Sequence, residues 1–168
     1  MLWLSGFNTN EGSLMLHAAY PKVYTRTSVP QYTTIKEVQK RVVEMGTDSG
    51  LTETQASTIA TLLIKGKERD TPTRWAQTVA DLFSDIMFVC PTYEFANKLE
   101  TYNVTRYLYL FSQRAKNVEW GEWMSVTHHD EVGFIMGYPL RYPHLYSQED
   151  VDISSKMITT WTTFAKTG

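Results

Sequence analysis

Two clusters of polar residues in this sequence are of a type and spacing that could do chemistry. The first is Glu11, in the loop Asn8-Thr9-Asn10-Glu11-Gly12-Ser13 that follows an apolar start. The second is Thr127-His128-His129-Asp130-Glu131, set between a tryptophan-rich stretch at 120–124 and the apolar Phe134-Ile135-Met136. Carboxylate and imidazole are the side chains that most often carry protons at neutral pH. Taken alone, Glu11 is also compatible with a solvated loop carboxylate or a helix cap, and the two histidines with a structural role. A metal reading of His128, His129, Asp130 and Glu131 is disfavoured. Adjacent residues rarely converge on one ion, and neither an HExxH pattern nor an EF-hand loop is present.

The elements that must position these clusters are mixed. Residues 1–5 are apolar and abut Gly6, which predicts a short buried strand, and 14–19 predict a brief helix. From Pro21 to Thr33 the composition turns to Pro, Thr, Ser and Tyr, an exposed connection. Thr34 then precedes Ile35, Val38, Val42, Val43 and Met45 at helical spacing. A second helix from about Thr52 to Lys65 turns Ala56, Ile59, Ala60, Leu62 and Leu63 inward, with Thr52 to Gln55 capping its first turn.

Arg74 to Val89 sets Trp75, Val79, Leu82, Phe83, Ile86 and Met87 on one side, and Pro91 fits the first turn of a further helix reaching about Leu99. Residues 104–111 are rich in strand formers, and their continuous apolar end predicts a strand covered on both faces, as in a parallel sheet. A last helix starts at Ser147, with Glu149 and Asp150 in its first turn and Val151, Ile153, Met157, Ile158, Trp161 and Phe164 at helical period. Strand, helices, strand, helices is an α/β order, helix-rich, with crossovers between parallel strands. Two strands are too few for a complete domain of this class, so the chain is expected to be part of something larger.

Composition narrows the function classes. With 42% hydrophobic and 20% charged residues the chain can build a core, which argues against disorder. Its 16 Lys+Arg against 18 Asp+Glu leave no basic excess to neutralise phosphates, so nucleic acid is not an expected partner. No apolar run approaches the roughly 20 residues that span a bilayer, and the first residues lack the features of a secretory signal. The single cysteine, Cys90, excludes an internal disulfide framework and any multi-cysteine zinc site, and in an intracellular protein it would read as a buried free thiol.

Several segments carry a family likeness. Asn10-Glu11-Gly12-Ser13 after an apolar strand resembles the Asp-Glu-Gly-Ser loop of the cholinesterase and type-B carboxylesterase family. Trp123-Met124-Ser125-Val126-Thr127-His128, followed by Glu131 to Leu140, resembles the segment that holds that family's catalytic histidine. Asp85 to Pro91, Glu94-Phe95-Ala96, Tyr107 to Phe111 and the closing Trp161 to Gly168 match in the same order, while 21–70 match least. The likeness implies that residues 1–168 are the C-terminal part of an α/β-hydrolase domain that lacks the portion with the nucleophile. In such domains the triad runs Ser, then Asp or Glu, then His. Glu11 precedes His128 by 117 residues and no Gly-x-Ser-x-Gly occurs, which places the serine before Met1.

The resemblance implies a serine esterase without a cofactor, acting on a small carboxylic ester such as acetylcholine. His128 would be the general base and Glu11 its orienting carboxylate. The family spacing Trp-Met-x-Val-x-His-x-x-Glu selects His128, while His129 stands where glycine is usual. Glu131 resembles a buried carboxylate that hydrogen-bonds behind the dyad. Leu14 and Met15 occupy pocket positions that usually include aromatics, Asp130 replaces a frequent tyrosine, and Trp120 matches a pocket tryptophan. Cys90 corresponds to a cysteine that pairs with one beyond residue 168, and Asn103-Val104-Thr105 is a glycosylation sequon. Both fit a secreted or membrane-tethered parent, anchored outside these residues and assembled through helices near its C-terminus. A broad carboxylesterase, a non-catalytic adhesion relative and an unrelated α/β binding domain are the alternatives.

Overall fold

The computed structural model describes residues 1–28, 34–66 and 71–168. Strand β1 (Leu2–Asn8) lies parallel to β2 (Thr105–Phe111), in a register that sets Leu2 opposite Thr105 and Asn8 opposite Phe111. Between them run α1 (Gly12–Ala19), α2 (Ile35–Asp48), α3 (Glu53–Ile64), α4 (Pro72–Ser84) and α5 (Cys90–Glu100). After β2 come two short helices, α6 (Asp130–Ile135) and α7 (Tyr138–Arg141), and the long α8 (Gln148–Thr167). The architecture is α/β and helix-rich. The predicted 1–5 strand runs on to Asn8 because Gly6 continues it. A Cβ there would strike the ring and carbonyl of Tyr109, so glycine lets the aromatic lie across the strand.

Helix starts are set by local chemistry. Thr34 with Glu37, Thr52 with Gln55 and Ser147 with Asp150 form reciprocal capping boxes, each satisfying two amides that the first turn leaves orphaned. Asp150 does more than cap. Burial alone would raise its pKa, but hydrogen bonds from Ser147, Gln113 and the Lys116 amide outweigh that and hold the carboxylate below its ordinary range. The charge thereby ties the 113–116 loop to α8.

Helices pack against both faces of the sheet, one of them only in part. Tyr107, Tyr109 and Phe111 meet Phe164, Trp161 and Phe134 with ring centroids 5.9, 4.9 and 5.0 Å apart. On the opposite face Trp3 meets Phe95 at 5.5 Å and Phe7 meets Tyr93 at 5.9 Å, both from α5. Beside the sheet, α1, α2, α3 and α4 enclose a second core that includes Leu16, Tyr24, Val42, Trp75, Val79 and Trp123. Helices α1 and α4 pack closely at Gly12, where a Cβ would collide with the Ala80 carbonyl and the Ser84 amide.

Four expectations are corrected. The β2 strand is not covered on both faces: Leu110 is 59% exposed and Leu108 is also exposed, because α5 shields only part of that side. Leu62 is not inward but 64% exposed, since the α3 seam runs through Ala56, Ala60 and Ile64. Ile86 and Met87 are exposed, because the helix predicted to reach Val89 ends at Ser84 and continues as a wide turn (Asp85–Val89) that leads straight into α5. In that turn the Cys90 amide donates five residues back, to the Asp85 carbonyl. Pro91 sits in the first turn of α5, as its sequence position predicts; it has no amide to give and its ring crowds the preceding carbonyls, so the chain widens just ahead of it and α4 passes into α5 without a break. Finally, Tyr24 is buried within the otherwise mainly exposed 21–28 segment, and the rest of that predicted connection, 29–33, lies outside the described residues.

Candidate active site

Both polar clusters sit beyond the C-terminal ends of the parallel strands, where open α/β sheets place their sites. Glu11 closes the turn that leads from β1 into α1. It makes no side-chain cap to α1; its Oε1 accepts the Asn8 amide at 2.7 Å instead, and the residue is only 4% exposed. That removes the solvated-loop reading. Its other oxygen, Oε2, lies 2.7 Å from His128 Nδ1. With the proton on Nδ1 the imidazole donates to the carboxylate, and Nε2 is left without a partner among the described residues. The His128 side chain is 29% exposed, with the Phe88 ring 4.8 Å away and the His129 ring 4.3 Å away.

The two loops are laced together. The Asn10 amide donates to the Val126 carbonyl at 2.9 Å. The Ser13 hydroxyl lies 2.7 Å from Thr127 Oγ1, which also accepts the Leu14 amide at 3.0 Å. Asn8 Nδ2 donates to the Thr127 carbonyl at 2.7 Å and to Glu131 Oε2 at 2.6 Å. Arg114 clamps the approaching loop by donating to the Ser125 and Trp120 carbonyls. Ser125 and His129, on either side of His128, both hold positive φ, 51° and 77°. A non-glycine residue there costs about 1 kcal/mol or more, which explains why glycine would be favoured at 129 and shows that this segment is held by its contacts.

The other candidates separate into two groups. Trp120 and Asp130 line one hollow of about 450 Å³ together with His129, Phe134, Tyr138 and Tyr146. Leu14 and Met15 lie elsewhere: they are half-buried on α1, and Leu14 packs against the helical core. Glu131 is drawn in by the Asn8 amide. Tyr109 stands close enough to feel both Glu131 and Glu11; burial and then these two carboxylates push its hydroxyl up to about 12, so it stays a neutral O–H. Cys90 is a free thiol and exposed, not the buried one a bland reading favours. Asn103 lies on an exposed turn ahead of β2, with φ 55°. Among the described residues no three His, Cys, Asp or Glu side chains group as metal ligands, and no helix is long and apolar enough to cross a membrane.

Asn8 and Phe88 are the site residues that sequence reasoning missed. A polar residue closing a parallel strand was the one available signal for Asn8; Phe88 came into reach only through the wide turn after α4.

Asp130 closes the turn that carries His128, its Oδ2 accepting the Thr127 amide at 2.9 Å. Burial pushes its pKa up to about 6 against the pull of that hydrogen bond and of Arg114. A carboxyl whose folded value exceeds its unfolded value adds stability while it is protonated, and that contribution disappears as pH rises through the folded value. Asparagine at this position keeps an acceptor for Thr127 and removes the titration. Asp130→Asn is therefore expected to gain stability relative to the wild type as pH goes from 4 to 7, read from denaturant midpoints at both values. A difference that does not vary with pH would show that Asp130 stays ionised.

The sequence profile described as the carboxylesterase family matches residues 1–168. Among curated proteins, the chain is 33% identical to an acetylcholinesterase of Bungarus fasciatus over 102 residues, 61% of this chain and 17% of the relative. It is 31% identical to an acetylcholinesterase of Gallus gallus over 126 residues, 75% of this chain and 16% of the relative. It is 37% identical to acetylcholinesterase-1 of Trittame loki over 83 residues, 49% of this chain and 15% of the relative. The matched part of this chain thus spans less than a fifth of the length of these relatives.

Proposed function

This chain belongs to the carboxylesterase family, and from that premise we propose that it carries the glutamate and histidine of a serine-esterase site that cleaves choline esters such as acetylcholine. The observation that carries the reading is the 2.7 Å contact between His128 Nδ1 and the buried Glu11 carboxylate, made across 117 residues. The nucleophilic serine belongs to a part of the protein outside these residues, and the 168 residues form the C-terminal part of its hydrolase domain.

In the mechanism, His128 Nε2 takes the serine proton as the hydroxyl attacks the ester carbonyl. The resulting imidazolium is stabilised by Glu11 and returns the proton to the departing alkoxide. In the second half the same nitrogen takes a proton from water as it attacks the acyl-enzyme, then gives that proton to the departing serine oxygen, which releases the acid and restores the hydroxyl. Glu11 does not become protonated; it holds the Nδ1–H tautomer and keeps the ring aimed.

The names of the relatives favour a choline ester, as do Trp120 and Asp130 in the lining of one hollow, since an aromatic ring and a carboxylate both attract a cationic group. A second reading, a broader carboxylesterase, is favoured by Leu14 and Met15: where the family likeness sets aromatics, these half-buried side chains lie on α1 away from that hollow and provide no cation–π face. The presence of both Glu11 and His128 speaks against a non-catalytic adhesion relative. Asn103 as a glycan acceptor on an exposed turn and Cys90 as an exposed thiol awaiting a cysteine outside this chain support a secreted or cell-surface protein. Assembly through C-terminal helices and a membrane tether rest on the family likeness alone.

The test is to assay the full-length protein on acetylthiocholine and an uncharged aryl acetate. A kcat/KM preference of about tenfold or more for the choline ester is expected. Equal rates would favour the broad esterase, and hydrolysis of neither would sink the reading.

A further inference from the structure

We propose that Asn8 is the positioning residue that holds both halves of the dyad in register. It closes β1 and is 1% exposed. Its main-chain N–H donates to Glu11 Oε1 at 2.7 Å, fixing the carboxylate. Its side-chain amide donates to the Thr127 carbonyl at 2.7 Å, the group directly before His128, and to Glu131 Oε2 at 2.6 Å. One residue therefore grips the glutamate through its backbone and the histidine turn through its side chain.

The orientation of that amide is fixed by its neighbours. Both groups facing Nδ2 are acceptors, so the flipped amide would press its oxygen against two oxygens. The present orientation is kept although Oδ1 is buried without a hydrogen-bond partner among the described residues. The residue is present for its two N–H donors. Serine offers one hydrogen on a shorter arm, and aspartate offers none and would face the Glu131 carboxylate. Asparagine alone matches both acceptors at this reach.

The role rests on the esterase reading for its kinetic consequence. As His128 cycles between imidazole and imidazolium, its ring must stay within hydrogen-bond distance of Glu11. A shift of the Thr127 carbonyl moves the ring, and a misplacement of about 1 Å costs on the order of 100-fold in rate.

The test uses the full-length protein with Asn8→Asp, Glu131→Gln and the two combined. Asn8→Asp is expected to lower kcat about 100-fold with KM changed less than about threefold, the signature of lost geometry rather than lost binding. In the double variant the side-chain amide introduced by Glu131→Gln donates to the carboxylate introduced by Asn8→Asp. The bond between positions 8 and 131 is restored with reversed polarity, and kcat is expected to recover about tenfold. An unchanged kcat in Asn8→Asp, a change confined to KM, or a double variant no better than Asn8→Asp would overturn the proposal. If Asn8→Asp fails to fold, Asn8→Ser keeps one donor and is expected to lose about tenfold in kcat; no loss would overturn it.

A readout independent of turnover is the proton resonance of His128 Nδ1–H. It is expected to broaden through water exchange in Asn8→Asp and to sharpen again in the double variant, and a resonance that stays sharp throughout overturns the role. If the resonance responds as stated while the wild type cleaves no ester, the esterase reading fails and the positioning role of Asn8 stands.

Discussion

On the proposed mechanism, replacing His128 by alanine in the full-length protein is expected to lower kcat about 10⁴- to 10⁶-fold, because among the described residues His128 is the imidazole that Glu11 orients. His129 does not substitute: it is itself held in the left-handed conformation and lines the neighbouring hollow, and Glu11 does not orient it. Glu11→Gln is the sharper version of the same experiment. Glu11 uses Oε1 to accept the Asn8 amide and Oε2 to meet His128. A glutamine that keeps its oxygen toward Asn8 presents an NH₂ group to Nδ1, which must then give up its proton. The imidazole is driven to the Nε2–H tautomer and loses its base lone pair where the serine needs it. The reverse amide orientation sets two donors against each other at Asn8. Either way kcat is expected to fall about 10³- to 10⁴-fold with little change in KM. Saturation kinetics on a fast choline ester, with circular dichroism as a control for folding, measures both. A His128→Ala variant within tenfold of the wild type would remove the dyad from the chemistry.

Trp123→Ala is expected to produce the largest loss of stability, about 3–5 kcal/mol. The residue is 1% exposed, its ring centroid lies 6.1 Å from that of Tyr24, and its indole N–H donates to the Thr25 carbonyl at 3.1 Å. Alanine leaves a void in a core shared by four helices and removes the indole donor to the part-buried Thr25 carbonyl. Trp123 also anchors the loop that runs through Met124 and Ser125 to His128, so activity should fall together with the midpoint of guanidinium unfolding. Trp123→Phe refills most of the space without the N–H and is expected to recover more than half of the loss. A shift below about 1 kcal/mol for the alanine variant would mean that the core collapses around the gap.

What could be read in the sequence was what is decided locally. The capping residues Thr52 and Ser147 announced their helices, because a hydroxyl three residues ahead of an acceptor satisfies amides within one turn. The apolar run at 107–111 announced a strand. Its exposure could not be read, because burial depends on what else packs on the sheet. The helix opening at Pro91 is legible because proline is welcome in a first turn; the widened turn that joins it to α4 is not, although it follows from the same missing amide. Glu11 and His128 were visible through family likeness. Asn8 was not, since its role arises from partners 119 and 123 residues away, and no local pattern encodes such contacts. The place of Leu14 on the helical core was hidden for the same reason: its helix turns that side chain toward neighbours contributed by distant segments.

The widened turn at Asp85–Val89 has a consequence for the imidazole. Each residue of a regular helix advances by about 100° around the axis, so one additional residue absorbed in a single turn rotates everything after it by that angle. Phe88 faces His128 from within this stretch, and Tyr93 and Phe95 reach the sheet from just beyond it. The azimuth of the whole distal rod, and hence the aromatic wall beside the imidazole, is set by a local surplus of one residue. A one-residue deletion there would leave the composition of that wall intact and turn it to face another direction.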